Sequence, residues 1–318
     1  MSAGSPLLQT CDLVKRYRAG RKTLRAVDGV SIEVSRGETL GLVGESGCGK
    51  STLGRLICCL EPPTAGAVVL DGVDMLALSP KAMRAMRRRM QLIFQDPFAS
   101  LNPHKTVRQI VGLPLQIWER AGRRTLRERV RELLDSVGID PAQAHRFPHQ
   151  FSGGQRQRIG IARALACKPD LIVADEPVAS LDVSIQAQIL QVMRNLQQRF
   201  GLTIVLISHD VSVVSHVSQR IAVMYLGKIV EIGPAQCVID RPLHPYSRAL
   251  VAAVPRVGEA GPQGAWRLPG APPSPMAMPP GCRFHTRCYL DQVAECRSAE
   301  PELREIESGH FAACHLAG

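Results

Sequence analysis

Thr39-Leu-Gly-Leu-Val43 runs directly into Gly44-Glu-Ser-Gly-Cys-Gly-Lys50-Ser51, and that into Thr52-Leu-Gly-Arg-Leu-Ile57. The three pieces read as strand, glycine loop and helix, with the Lys-Ser pair at the hinge. Gly44, Gly47 and Gly49 let the loop's N–H groups, those of Glu45, Ser46 and Cys48 included, turn inward around phosphate oxygens where a Cβ would obstruct. The helix start adds partial positive charge at the same place. Lys50 reaches the β- and γ-phosphates, and the hydroxyl of Ser51, with Thr52 next in the first turn, can meet Mg²⁺. The stretch implies a site for a nucleoside triphosphate with Mg²⁺.

Composition narrows the setting. At 318 residues the chain is long enough for roughly two domains. No run approaches the ~18 apolar residues needed to cross a bilayer. Met1 to Gln9 shows no basic region followed by an apolar stretch, so no secretory signal is visible and a cytosolic chain is expected. The net charge is +11, with basic runs at Arg84 to Arg89 and Arg120 to Arg131. Both read as solvated helix faces. Aromatic residues are only 4% of the chain, too few for a base-stacking platform. Of the ten cysteines, Cys11, Cys48, Cys58, Cys59, Cys167 and Cys237 are scattered, as expected of a reducing compartment.

Residues 7 to 235 alternate short apolar strands with helical patterns, which predicts an α/β domain with a largely parallel sheet. Candidate strands are Val30–Val34, Thr39–Val43, Ala67–Leu70, Met90–Phe94, Leu171–Ala174, Thr203–Ile207, Ile221–Tyr225 and Lys228–Ile232, the last two joined as a hairpin through Leu226-Gly227. Residues 96–168 read as a helical insertion. Within it Arg123 to Ser136 carries Leu126, Val130, Leu133 and Leu134 at helical spacing. Residues 236–318 form a separate C-terminal region. It holds eleven of the chain's 23 prolines, a short capped helix within Arg241–Val254, and an irregular stretch from Gly258 to Pro280.

Two further motifs bear on chemistry. Leu171-Ile-Val-Ala-Asp175-Glu176 is an apolar strand ending in two acids. Asp175 can hold the Mg²⁺ shell, and Glu176 is placed to take a proton from water attacking the γ-phosphate. Alone, such a pair reads as a helix N-cap; downstream of a phosphate loop it does not. Phe151-Ser152-Gly153-Gly154-Gln155 opens a second helix with two glycines after a serine, another anion-binding helix start. One triphosphate loop and two such starts suggest that the second completes the site of another molecule.

Together these motifs resemble the ATP-binding cassette family. Gly44–Ser51 matches its Walker A loop, Phe151–Gln155 its signature motif with Phe for Leu, and Leu171–Glu176 its Walker B strand. Gln95 in Ile-Phe-Gln-Asp-Pro matches the Q-loop, Ser180-Leu181-Asp182 the D-loop and His209 in Ile-Ser-His-Asp the switch histidine. The resemblance implies a P-loop NTPase fold: a RecA-like core, an antiparallel β subdomain and a helical insertion. It implies ATP and Mg²⁺, the latter held by Ser51, Gln95 and Asp175. Two cassettes would close head-to-tail, with Ser152 to Gln155 and Asp182 reaching the partner's site, Glu176, His209 and Gln95 serving hydrolysis, and Tyr17 stacking on adenine. Arg18 to Arg25 then reads as extra loop, and Phe94 to Val107 as the groove for a coupling helix.

The C-terminal region sharpens the resemblance. His244-Pro245-Tyr246-Ser-Arg-Ala-Leu and Pro279-Pro-Gly-Cys282-Arg-Phe-His-Thr-Arg-Cys288 are similar to the tails of oligopeptide and dipeptide importer ATPases, and Pro273-Ser274-Pro275 to their F-type subunit. Tyr289, where that pattern usually has Pro, and Val178-Ala179-Ser180 depart from it. The resemblance implies a second ATPase subunit, two transmembrane permeases, a substrate-binding protein and a place at the cytoplasmic face of the membrane. Cys282, Cys288, Cys296 and Cys314 are separated by 5, 7 and 17 residues and could hold an iron–sulfur cluster or zinc. The resemblance favours the cluster; packed reduced thiols are the competing reading. His285, His310 and His315 nearby read as surface residues. Two other functions remain at this level: an importer of nickel or another small solute, and a cassette ATPase acting on nucleic acid or the ribosome. The single cassette and the importer tail weigh against the latter.

Overall fold

The structure, a computed structural model, describes residues 5–20, 22–96, 100–120, 122–179, 181–253, 270–290 and 292–317. Ser180, Pro97–Ala99 of the expected groove and most of the Gly258–Pro280 stretch lie outside them. Two sheets organise the chain. A four-stranded antiparallel sheet has the order β2-β1-β4-β5, from Lys22–Val34, Leu8–Ala19, Ala65–Leu70 and Val73–Asp74. An eight-stranded sheet, with β10 at Lys228–Pro234, β11 at Arg304–Glu307 and β12 at His310–Ala312, runs β11-β12-β10-β9-β3-β8-β7-β6. Its centre is parallel: β3 (Thr39–Val43) lies between β8 (Thr203–Ser208) and β9 (Arg220–Tyr225), with β7 (Leu171–Asp175) and β6 (Met90–Ile93) beyond.

The central strands are buried on both faces, as unbroken apolar runs demand. One face carries the helices Val107–Glu119, Arg123–Ser136 and Gly153–Leu165, which share a core with Ile93, Ile172 and Leu206. The other faces the antiparallel sheet and the helix α1 (Lys50–Ile57), whose Leu53, Leu56 and Ile57 are fully buried, each stabilising by about 1.5–3 kcal/mol. Gly54 permits this approach. A Cβ there would stand 2.8 Å from the Ile207 side chain.

All eight expected strands are present, and the 220–234 hairpin turns at Leu226-Gly227 with φ of 43° and 84°. Three readings change. Residues 18–19 and 22–25 are not extra loop: β1 and β2 extend through them, pairing Arg18 with Thr23, Tyr17 with Leu24 and Arg16 with Arg25. The facing arginines are tolerated because Asp28 lies near both, at 3.8 and 3.4 Å. In the Arg84 to Arg89 run, Arg84 and Arg87 are exposed on the helix Pro80–Arg87 as expected, but Arg88 and Arg89 are half-buried and not a solvated face. Arg87 donates to the Cys59 carbonyl, Arg88 to the Cys167 carbonyl and Glu119, and Arg89 bridges Asp71 and Asp170. The Arg120 to Arg131 stretch does carry exposed i,i+3 and i,i+4 pairs.

Nor is the C-terminal region merely irregular. β12 (His310–Ala312) pairs with β10 (Lys228–Pro234), and β11 (Arg304–Glu307) with β12, so the region extends the main sheet. His310 is buried there with its Nε2 2.7 Å from Glu231 Oε1, not at the surface. The helix Pro245–Ala252 is capped by His244, as expected, and Tyr289 donates to the Pro245 carbonyl, which gives this departure from the family pattern a structural use. No helix among the described residues is long and apolar enough to cross a membrane.

Candidate nucleotide site

The carboxyl ends of four parallel strands deliver the site, where a doubly wound sheet leaves a crevice. β3 ends in the phosphate loop, β7 in Asp175 and Glu176, β8 just before His209, and β6 just before Gln95. A cavity of about 320 Å³ opens there. Tyr17, Ser46, Lys50, Ser51, Gln95 and Glu176 are among its lining residues.

The loop is shaped by backbone contact. A Cβ on Gly49 would lie 2.0 Å from the Ala26 carbonyl oxygen, at a φ of 111° that side chains avoid, and one on Gly44 would lie 2.2 Å from the Met224 carbonyl oxygen. Because Gly49 caps α1 without a side chain, no side-chain oxygen competes for the first N–H groups of the helix, which leaves them for an anionic ligand. Lys50 is buried, and its Nζ donates to the carbonyls of Gly44 and Glu45 at 2.7 and 3.0 Å. Among the described residues no carboxylate pairs with it, so a buried ammonium is provided for an anion that the chain itself does not supply.

The Ser51 hydroxyl donates to Asp175 Oδ1 at 2.9 Å. Burial raises the pKa of Asp175, Ser51 opposes this, and the adjacent Glu176 carboxylate adds to the rise. Two neighbouring carboxylates and a hydroxyl are oxygen ligands that fit a hard divalent cation such as Mg²⁺. Glu176 itself sits at φ 46°, a strained position for a residue with a Cβ, and its N–H donates to the Ile207 carbonyl. That turn aims its side chain between two others. Gln95 Nε2 donates to Glu176 Oε2 at 2.8 Å, and His209 Nδ1 lies 3.4 Å from the same oxygen. Residues spread over more than a hundred positions of sequence thus meet on one carboxylate.

Ser152 and Gln155 form a reciprocal cap on the helix Gly153–Leu165: Ser152 Oγ accepts from the Gln155 N–H at 3.3 Å, and Gln155 Oε1 from the Ser152 N–H at 3.0 Å. Neither lines the cavity around Lys50. Gly153 and Gly154 pack against Leu181 and Ile185 instead. Ser152, Asp182 and Val183 are exposed, Val183 by 82%. Tyr17 does line the cavity, and its hydroxyl donates to Glu61 at 2.5 Å, a partner that sequence spacing did not mark. The expected inward turn of the Glu45 and Cys48 N–H groups is not seen: Glu45 N–H donates to the Tyr246 hydroxyl at 2.8 Å, Cys48 N–H donates to the Glu45 carbonyl at 3.3 Å, neither residue lines the cavity, and the Glu45 carboxylate turns away to Arg287.

The four tail cysteines are free thiols, as are the other six. Burial raises the Cys282 thiol to about 11, the nearby Cys314, Cys296 and Cys288 adding to the effect, and it raises Cys288 and Cys314 as well. Among the described residues no group of three or more His, Cys, Asp or Glu side chains is arranged to hold a metal ion.

A phosphate loop, an acid pair and a converging histidine on this sheet define an ATPase of the P-loop class. Residues 27–179 match the model of the ABC transporter family, and residues 230–296 that of the oligopeptide/dipeptide transporter C-terminal region. The oligopeptide transport ATP-binding protein AppF of Bacillus subtilis is 51% identical over 296 residues, covering 92% of this chain and 90% of the relative. A Brucella ovis chain named as a peptide import ATP-binding protein is 49% identical over 310 residues, 98% of each. Among solved structures, the cassette MJ0796, dimeric in a post-hydrolysis state bound to ADP and Pi, superposes with a TM-score of 0.66 at 32% identity, over 72% of this chain and 98% of that one. CbiO1 of Clostridium perfringens, part of the transporter complex cbiONQ, gives 0.68 at 27%, over 75% and 92%. The chain belongs to the ABC transporter family, as an ATP-binding subunit.

Proposed function

We propose that this chain hydrolyses ATP to drive import of dipeptides and oligopeptides. Similarity across the whole chain, cassette and C-terminal region alike, to relatives named for peptide import carries the reading. Residues 7–235 are taken as the nucleotide-binding unit, with its helical subdomain at 96–168, and residues 236–318 as the appended importer region.

The chemistry follows from the site. Lys50 and the loop amides bind the β- and γ-phosphates. Mg²⁺, when bound, offsets phosphate charge; Ser51 would be its ligand, with Asp175 and Gln95 holding its water shell. Gln95 and His209 both engage Glu176 Oε2, which leaves Oε1 to accept the proton of a water attacking the γ-phosphorus. The new P–O bond forms as the bond to the bridging β-γ oxygen breaks, giving ADP and inorganic phosphate. His209 orients the carboxylate and the water.

Ser152 to Gln155 and Asp182, exposed and outside this chain's own cavity, would close on the triphosphate of a second cassette. The dimeric state of MJ0796 supports that arrangement. The second cassette is read as a related ATPase subunit, this chain being the F type. Two permeases and a substrate-binding protein complete the assembly, with this subunit peripheral at its cytoplasmic face. No step passes through an iron–sulfur cluster.

The test is uptake of labelled dipeptides, oligopeptides and Ni²⁺ by cells lacking this chain, complemented with wild type or Glu176→Gln. Peptide uptake restored by wild type alone supports the reading. Restoration of Ni²⁺ uptake only would overturn the peptide assignment.

A further inference from the structure

Every polar group of Glu45 is engaged. Its N–H donates to the Tyr246 hydroxyl at 2.8 Å, and its carbonyl accepts from Lys50 at 3.0 Å. Its carboxylate takes a two-point pair from Arg287, Nη1 to Oε2 at 2.7 Å and Nη2 to Oε1 at 2.9 Å. Tyr246 and Arg287 lie 201 and 242 residues further along the chain, in the C-terminal region. Both are buried. They sit in a cluster where the rings of Tyr225, Tyr246 and Phe284 stand 4.7 to 5.6 Å apart, with the Arg287 guanidinium over Tyr225. Hydrogen bonds to Glu45 raise the pKa of Arg287 further, against its burial.

The same region reaches the cavity's rim. Arg287 Nη2 also donates to the Gly270 carbonyl at 3.2 Å. Pro275 lines the nucleotide cavity alongside Tyr17 and Leu24, and its carbonyl accepts from the Arg25 N–H at 3.5 Å. A second tie joins Arg283 to Asp28 at 2.5 Å. The electrostatic need is plain. Glu45 follows the first glycine of a loop that must receive a polyanion, and an uncompensated carboxylate there would repel it.

We propose that the C-terminal region is a working part of the nucleotide site: Arg287 neutralises and orients Glu45, Tyr246 fixes its amide, and together they position the phosphate loop for ATP. Arg287 and Tyr246 are positioning residues, acting through Glu45. The proposal rests on the ATPase reading above.

The experiment titrates the full-length chain with a fluorescent trinitrophenyl-ATP analogue, alongside thermal unfolding without nucleotide. Arg287→Met is expected to raise Kd about tenfold, the scale of a lost charge-assisted pair. Tyr246→Phe, which keeps the ring packing, is expected to raise it about threefold, the scale of one lost neutral hydrogen bond. Adding Glu45→Gln to Arg287→Met should recover most of the affinity, because it removes the unpaired charge. A purely structural role would not give that rescue. An unchanged Kd in folded Arg287→Met, or a double variant weaker than either single one, would overturn the proposal. Should Arg287→Met fail to fold, Arg287→Lys and Tyr246→Phe decide the matter by the same readout. Wild-type protein that binds the analogue no better than Lys50→Ala would overturn the ATPase reading instead, and this proposal with it.

Discussion

Acid should loosen the attachment of the C-terminal region through one buried imidazole. His244 caps the helix Pro245–Ala252, its Nδ1 accepting from the Tyr246 N–H at 3.0 Å, a bond that exists only while that nitrogen is unprotonated. Burial pushes its pKa down from 6.5 to about 4, with the Glu231 carboxylate opposing and Arg248 assisting. In the unfolded chain the ring gains its proton near the ordinary value. Between the two values the unfolded state therefore binds the extra proton, and stability rises with pH. The contribution is complete above the unfolded pKa and is lost as pH falls through the folded one. It amounts to on the order of 3 kcal/mol, a large share of a typical total of about 5–15 kcal/mol. His244→Asn keeps an N-cap acceptor that does not titrate. Urea unfolding of both proteins at about pH 7.5 and about pH 4.5 should show wild type losing about 2–3 kcal/mol more than the variant across that interval. Parallel losses would refute the reasoning, since every other titrating group is shared.

Glu176→Gln should lower ATP turnover in the assembled transporter by about 10²–10⁴-fold while ATP affinity stays unchanged, because the amide keeps the contact with Gln95 but cannot accept the proton. Near-normal turnover would remove Glu176 from that role. Lys50→Ala should weaken nucleotide binding itself, measured by the same fluorescence titration, since nothing else among the described residues puts a buried cation in the loop. Gly49→Ala is expected to abolish analogue binding, its methyl meeting the Ala26 carbonyl at 2.0 Å. Binding at wild-type strength would show that the loop has room the structure does not.

Gln95 and His209 were marked only by the resemblance to the cassette family; the sequence by itself determined the strand–loop–helix around Lys50, the parallel core and the two acids that close the Leu171–Glu176 strand. These were legible because phosphate binding restricts residue type locally: glycine where a Cβ collides, an amine and a hydroxyl at one helix start, acids at a strand end. Only the tertiary structure decided that Gln95 and His209 converge on one carboxylate oxygen of Glu176, since the contacts span from Gln95 to His209 and depend on strand order. Glu61 beneath Tyr17 left no local pattern at all, and Tyr246 and Arg287, though they lie within the importer-tail motifs, carried no sign that they meet Glu45. Each acts by pairing one charge or dipole with another far along the chain, and such pairing constrains the fold that brings the partners together without constraining their spacing. For the same reason the C-terminal residues 304–312, short and only partly apolar, did not read as strands: the open edge of β10 makes them so, by supplying the hydrogen bonds that their own sequence does not dictate.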